Sequence, residues 1–296
     1  AALTLVAPGR RAVAAEAALR PPRFGVSTYS FWQFRKEPSP IEDCIDSAAR
    51  MGFDGVEILQ VQMGDDQSTA RLQRLKRQAH ALGLALMGFS THQGFVNPDK
   101  NVRDDNVAKT LNSIDTAYRL GIPTMRINTG RWGTSKNFDE LMANKGIEPN
   151  LPGHTDEEGF GWVIESIERL LPRAEECGVV LGLENHWGLG RTAAGVMRIV
   201  EAIDSPWLKV TLDTGNFLED SQPQMERLAP RCCLVQAKTY DGGGKWYTLD
   251  IDYAWVADLL RRHGYQGWIS LEFEGQADPE VAVPASLARL KEAFAG

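Results

Sequence analysis

The chain is short of the features that mark several large classes of protein. It has no basic excess: 32 Lys and Arg stand against 39 Asp and Glu, for a net charge of −7. Phosphate contacts need clustered Lys and Arg, and no basic stripe occurs, so nucleic acid is not an expected partner. No apolar run reaches about 18 residues, so neither a transmembrane helix nor a membrane partner is expected. There are only four cysteines, Cys44, Cys177, Cys232 and Cys233, and none forms a CxxC pair. That excludes a zinc ribbon, and a disulfide framework is unnecessary in a chain of 296 residues. The four read as small buried hydrophobes. No GxGxxG or Walker pattern is present, and the triplet Gly242-Gly243-Gly244 comes late, so a nucleotide-binding open sheet lacks its phosphate turn.

What is present is a repeat of layout. Helix-like stretches end in Gly and run at once into a short apolar segment. Gly52 precedes FDGVEIL, Gly83 precedes LALMGFS, and Gly121 precedes IPTMRIN. Gly178 precedes VVLGLEN, and Gly264 precedes YQGWISLEFE. Glycine after a helix is the left-handed capping residue. The apolar segments are short and rich in Val, Ile and Leu on both parities, which fits parallel strands buried on both faces. With RFGVSTYS, WLKVTLD and CCLVQAK, eight strands are predicted, at roughly 24–29, 54–59, 84–90, 123–128, 179–184, 207–213, 232–239 and 268–273. Eight strand–helix units at a mean period of about 35 residues predict a single-domain (β/α)8 barrel over residues 23–296. Pro172 sits late in VIESIERLLPRAEEC and should kink that helix. Residues 1–22 are Ala-rich, lack aromatics and end in Pro-Pro. They read either as the remnant of an export signal or as the arm of a cytoplasmic protein.

In such barrels the catalytic groups come from the strand ends, so the polar residues that close each strand become the candidates. Strand five closes with Glu184 and His186, strand six with Asp213 and Asn216 just beyond it. Strand seven carries Gln236 and Lys238 on one face, and strand eight carries Glu272 and Glu274 on one face. Acidic groups converging on one rim repel each other unless a cation joins them. Oxygen ligands suit Mn²⁺, Mg²⁺ or Co²⁺. On this ground Glu184, Asp213 and Glu272 are expected to hold one divalent ion. Lys238 could also offset the negative charge.

The segments LGLENHWG, VTLDTGNF, VQAKTY and GYQGWISLEFEG, in that order and spacing, resemble the xylose-isomerase-like barrel superfamily. The resemblance lies with the branch of sugar phosphate isomerases and epimerases that also includes ketose 3-epimerases and endonuclease IV-like proteins. It spans about residues 24–294. It implies one metal held by Glu184, Asp213, Gln236 and Glu272. The third position departs from the family, which carries a His there. A neutral amide oxygen shifts the preference from zinc towards Mn²⁺ or Mg²⁺. A multi-zinc nuclease site would need more than the five His present in the whole chain.

The resemblance further implies that Glu184 and Glu272 act as acid and base. They would pass a proton at the carbon next to a carbonyl through an enediolate. The expected function is therefore a divalent-metal-dependent sugar isomerase or epimerase with a small-molecule sugar substrate. Two other readings stay open: a metal-dependent lyase or hydratase on 3-keto-glycosides, and a non-catalytic sugar- or partner-binding barrel. Substrate contacts are expected from His92, Asn128, His186, Asn216 and Lys238. Trp32 and Trp187 are the candidate aromatic walls, since ring faces pack on sugars. The stretch 130–155 is long enough to act as a lid or to extend the interface of a homo-oligomer, and YDGGGKWYTLD is a second candidate cover.

Overall fold

The computed structural model describes residues 21–35 and 37–295. The tail expected at 1–22 thus lies almost wholly outside the described residues. Eight parallel strands close into a barrel in chain order. They are β1 (Arg23–Ser27), β2 (Gly55–Leu59), β3 (Ala85–Ser90), β4 (Thr124–Ile127), β5 (Val180–Glu184), β6 (Leu208–Asp213), β7 (Cys232–Thr239) and β8 (Trp268–Phe273). Each predicted strand is found, with ends shifted by no more than a residue or two. The ring closes by pairing of β1 with β8, with Gly25 opposite Ser270. The five predicted capping glycines all take left-handed torsions, between 63° and 81° in φ. A side chain there would meet the following carbonyl, which is why glycine punctuates the repeat.

The strands are buried because helices cover their outer face. One continuous apolar cluster runs from Phe24 to Phe294 through every strand and most helices. The helix expected to kink at Pro172 is instead two helices, Asp156–Glu168 and Leu171–Cys177. Pro172 stands in the first turn of the second, where its missing N–H is not needed. A capping box formed by Thr155 and Glu158 starts the first of them. The bottom of the barrel is closed at Trp268, whose ring is covered by the Arg23 guanidinium at 4.3 Å. All four cysteines are free thiols. Among the described residues no helix is long and apolar enough to cross a membrane.

Candidate active site

Side chains that point into a closed barrel leave water, so every polar group there needs a partner. The lowest polar layer is organised by Glu57 in the middle of β2, which is fully buried. Its carboxylate accepts hydrogen bonds from the Ser90 hydroxyl, from Ser270 Oγ at 2.5 Å and from Gln236 Nε2 at 2.8 Å. Strands β2, β3, β7 and β8 are thereby tied across the barrel interior. Because the Gln236 amide nitrogen is spent on Glu57, its carbonyl oxygen is left buried with no hydrogen-bond partner. Asp213 lies opposite Gln236 in the β6–β7 register. Its Oδ1 accepts from the Gly215 amide at 2.7 Å, while Oδ2 is buried and without a hydrogen bond.

Above that layer opens a cavity of about 430 Å³. Glu184, His186, Lys238, Glu272 and Glu274 line it, together with His92, Arg126, Arg131 and Trp187. The acidic residues are not bare: Arg126 and Lys238 stand among them. Arg126 of β4 reaches Glu184 with Nη1 to Oε2 at 2.7 Å, and both side chains are almost fully buried. Lys238 Nζ bonds Glu274 Oε1 at 2.8 Å and Asn216 Oδ1 at 2.9 Å. It also stands 3.3 Å from Asp213 Oδ2 and 3.5 Å from Glu272 Oε2. The 3.3 Å approach is in ion-pair range but lacks hydrogen-bond alignment, so Asp213 Oδ2 keeps its lone pairs open. Asn216 also donates to Glu184 Oε1 at 3.2 Å and so links the two ion pairs.

Two cations against Glu57, Glu184, Asp213, Glu272 and Glu274 leave an excess of negative charge. The Glu272 carboxyl is pushed up to about 7, first by burial and then by the charges of Glu274, Glu57 and Glu184, with Lys238 opposing. Burial and the Glu272 and Glu184 charges likewise push Asp213 well above the usual carboxylate range, again against Lys238. The two histidines behave in the opposite sense. Burial, Arg126 and Lys238 hold His186 far below its usual value. His92 is lowered to about 3 by the protein around it and by Arg126. Its ring edge is nonetheless open to the cavity, so water there screens part of that effect. Both rings are neutral at neutral pH and sit 6.2 Å apart, edge to face.

These groups bear on a divalent ion in two ways. The donors are hard oxygens, and Asp213 Oδ2 and Gln236 Oε1 are buried acceptors on paired residues with nothing to accept. Such a pair of orphaned oxygens is costly without a cation. On the other side, among the described residues no three His, Cys, Asp or Glu side chains are arranged as a preformed cage. Arg126 occupies Glu184, and Lys238 stands beside Asp213 and Glu272. The donor set therefore fits the chemistry of Mn²⁺ or Mg²⁺, with the two protein cations sharing its carboxylates.

The other predicted contacts divide. His92, His186, Lys238 and Trp187 line the cavity. Asn216 lies beneath it as the bridge just described. Asn128 does not reach the cavity: it is buried and locks the loop after β3, accepting from the Gln93 amide at 3.0 Å. Trp32 also stays out of the lining, turns its indole N–H to the Arg35 carbonyl at 2.8 Å and packs on Phe34. Arg126, Arg131, Tyr29, Phe34, Phe138, Trp246 and Tyr247 were not singled out from the sequence. Arg126 carried a visible signal, a charge inside an otherwise apolar strand. The aromatic ones carried none: Tyr29 and Phe138 stand on short helices and Phe34, Trp246 and Tyr247 in loops, where no strand period marks them.

The two long loops meet over the cavity. Glu148 organises the first, accepting from the Gly133 amide at 2.9 Å and pairing with Arg131 at 3.2 Å. Its short helix, Phe138–Ala143, sets Phe138 against Trp246 with ring centroids 4.5 Å apart. Trp246 Nε1 donates to Asp139 Oδ1 at 2.6 Å. Gly146, at φ 74°, lies so close to Trp187 that an added Cβ would sit 2.3 Å from the indole. Gly146→Ala is expected to cost about 1–3 kcal/mol through torsion and overlap. A thermal unfolding midpoint within 1 °C of wild type would contradict that packing.

The model of the family described as xylose isomerase-like TIM barrel matches residues 45–293. The inosose dehydratase of Halalkalibacterium halodurans is 25% identical over 180 residues, 52% of this chain and 58% of that protein. The alignment thus spans little more than half the length of that relative. Among solved structures, the 3-keto-D-glucoside 4-epimerase from E. coli superposes with a TM-score of 0.71 at 18% identity, covering 92% of this chain and 99% of the other. The D-psicose 3-epimerase from Clostridium cellulolyticum, solved with D-tagatose, gives 0.71 at 20% identity, with 92% and 99% covered. At these identities the superpositions speak for the fold.

Proposed function

Because the chain belongs to the xylose isomerase-like TIM barrel family, we propose that it is a sugar isomerase or epimerase that moves a proton on the carbon beside a carbonyl. The observation that carries this reading is the placement of Glu184 and Glu272. They end β5 and β8, three strands apart in a ring of eight, and line one cavity. A ring or chain of carbons lying between them offers one face to each carboxylate. One takes the proton and the other returns it, so a single carbon can be inverted or a carbonyl moved by one position. His92 and His186, being neutral, can each donate and accept a hydrogen bond with substrate hydroxyls. Trp187, Phe34 and Trp246 supply flat apolar walls. Asp213, Gln236, Glu272 and Glu184 are the residues that would hold a divalent ion. When bound, it would stabilise the negative charge that develops on the carbonyl oxygen.

A lyase uses the same first step. Proton removal beside a carbonyl can expel a hydroxyl or an alkoxide from the next carbon. The likeness to an inosose dehydratase favours keeping this second reading. Proton NMR in D₂O, with Mn²⁺, over a panel of free ketoses and 3-keto-glycosides separates the two. An epimerase or isomerase gives deuterium in an isomeric product, and a lyase gives an unsaturated product with a released fragment. Exchange is expected to fall about 100-fold or more after chelation and to return with Mn²⁺. Absence of exchange or product across the metal-loaded panel would sink the reading.

A further inference from the structure

Lys238, one of the two buried cations of the site, is not explained by binding substrate alone. Its side chain is 6% exposed, and its stem lies along the backbone of Gly215. A Cβ at Gly215 would fall 2.5 Å from Lys238 Cδ and 2.8 Å from its Cβ, so a glycine after Asp213-Thr214 is what lets the lysine lie there. The ammonium has three protons and four acceptors around it. Glu274 and Asn216, at 2.8 and 2.9 Å, take well-formed hydrogen bonds. Asp213 and Glu272, at 3.3 and 3.5 Å, receive its charge without a comparable bond. The ammonium is therefore parked on one side of the cluster, while its field reaches two of the oxygens that a metal ion would use.

We infer that Lys238 is a resident cation that stabilises the carboxylate cluster by itself and competes electrostatically with a divalent ion for Asp213 and Glu272. This rests on the metal reading above. Two positive centres sharing the same carboxylates repel each other at a separation of a few ångströms, and the low dielectric of the barrel interior enlarges that term. Glu274 is the counterweight: it draws the ammonium towards the rim and away from the shared oxygens. Metal binding in this chain is accordingly weak and exchangeable, and the barrel keeps its shape while the ion comes and goes.

The test is direct binding of Mn²⁺, read from the electron paramagnetic resonance signal of the free ion, to full-length wild type, Lys238→Met and Glu274→Gln. Lys238→Met should bind at least about tenfold more tightly, because a like charge has gone. Glu274→Gln should bind about threefold or more weakly, because the ammonium then settles on Asp213 and Glu272. Thermal unfolding supplies the second readout. Saturating Mn²⁺ should raise the midpoint more in Lys238→Met than in wild type, since the ion replaces the missing charge. A purely structural lysine would leave Lys238→Met with equal or weaker affinity, and that result overturns the inference. Binding to wild type with unchanged affinity in Lys238→Met removes the competition but leaves the metal reading standing. If no variant binds Mn²⁺ at millimolar concentration, both fall. Should Lys238→Met fail to fold, equal or tighter binding by Glu274→Gln overturns the inference alone.

Discussion

Glu272→Gln is expected to lower turnover by about a thousandfold and to confine the entry of solvent deuterium into the substrate carbon to one of the two epimers. A positioned acid or base contributes on the order of 10²–10⁴ in rate, and an amide of the same shape can neither take nor return a proton. Glu184→Gln should have a comparable effect through the opposite face of the carbon. The pair separates the two half-reactions. With one carboxylate gone, the other can still exchange a proton on its own side, so residual wash-in without net inversion should appear in one substrate epimer and not in its partner. The measurement is proton NMR in D₂O on each variant with both epimers. Full exchange in both variants, or turnover within tenfold of wild type, would remove these residues from the chemistry. Glu272→Gln should leave folding intact, because Lys238 keeps its bonds to Glu274 and Asn216. Glu184→Gln, in contrast, takes the ion-pair partner of Arg126 and should also lower the unfolding midpoint.

Arg126→Met carries the largest expected effect on stability. The Arg126–Glu184 pair is almost fully out of water, with 4% and 3% of the two side chains exposed. Removing one member leaves a carboxylate buried without its cation, beside Glu57, Asp213 and Glu272. Breaking a buried pair in this way costs about 3–5 kcal/mol. In a domain of this size that corresponds to a fall of about 10 °C in the unfolding midpoint. Differential scanning calorimetry checks it, and a fall below about 2 °C would mean that Glu184 has found another partner or taken a proton. The double variant Arg126→Met, Glu184→Gln should regain most of the loss, since no uncompensated charge remains. That recovery distinguishes a lost charge partner from lost packing of the arginine stem.

The rim of the site was legible in the sequence for a reason that the structure makes plain. Glu184, Asp213 and Glu272 each stand at or next to the end of a strand of the same repeat, so the repeat brings them to one end of the barrel. The register sets Asp213, opposite Gln236, one layer below Glu272, opposite Lys238. Gln236 and Lys238 followed from parity along one strand. Arg126 was readable by the same logic and was passed over, since a charge flanked by Met125 and Ile127 stands out only once the strand is known to be buried on both faces. Asn128 and Trp32 illustrate the reverse failure. Both stand close to strand ends, but the loop after β3 and the turn at Gln33 and Phe34 draw them into backbone contacts instead. Loop geometry of that kind has no period to read.

The amino-acid sequence by itself determined the barrel, because the alternation of helix and apolar strand is a local pattern repeated eight times, punctuated before five of the strands by a left-handed glycine. It also determined which carboxylates share a rim. Only the tertiary structure decided what those carboxylates meet. Arg126 comes from a strand 58 residues before Glu184, and Gln236 meets Glu57 across 179 residues. Contacts at that separation depend on how the ring closes, and no single segment encodes them. The same holds for the cover over the cavity, where Asp139 and Trp246, 107 residues apart, meet because the loops after β4 and β7, three strands apart in the ring, both reach over one barrel end. Periodicity along the chain places a side chain on a face; the closed ring of strands decides which charges share that face, and so whether they repel, pair or hold an ion.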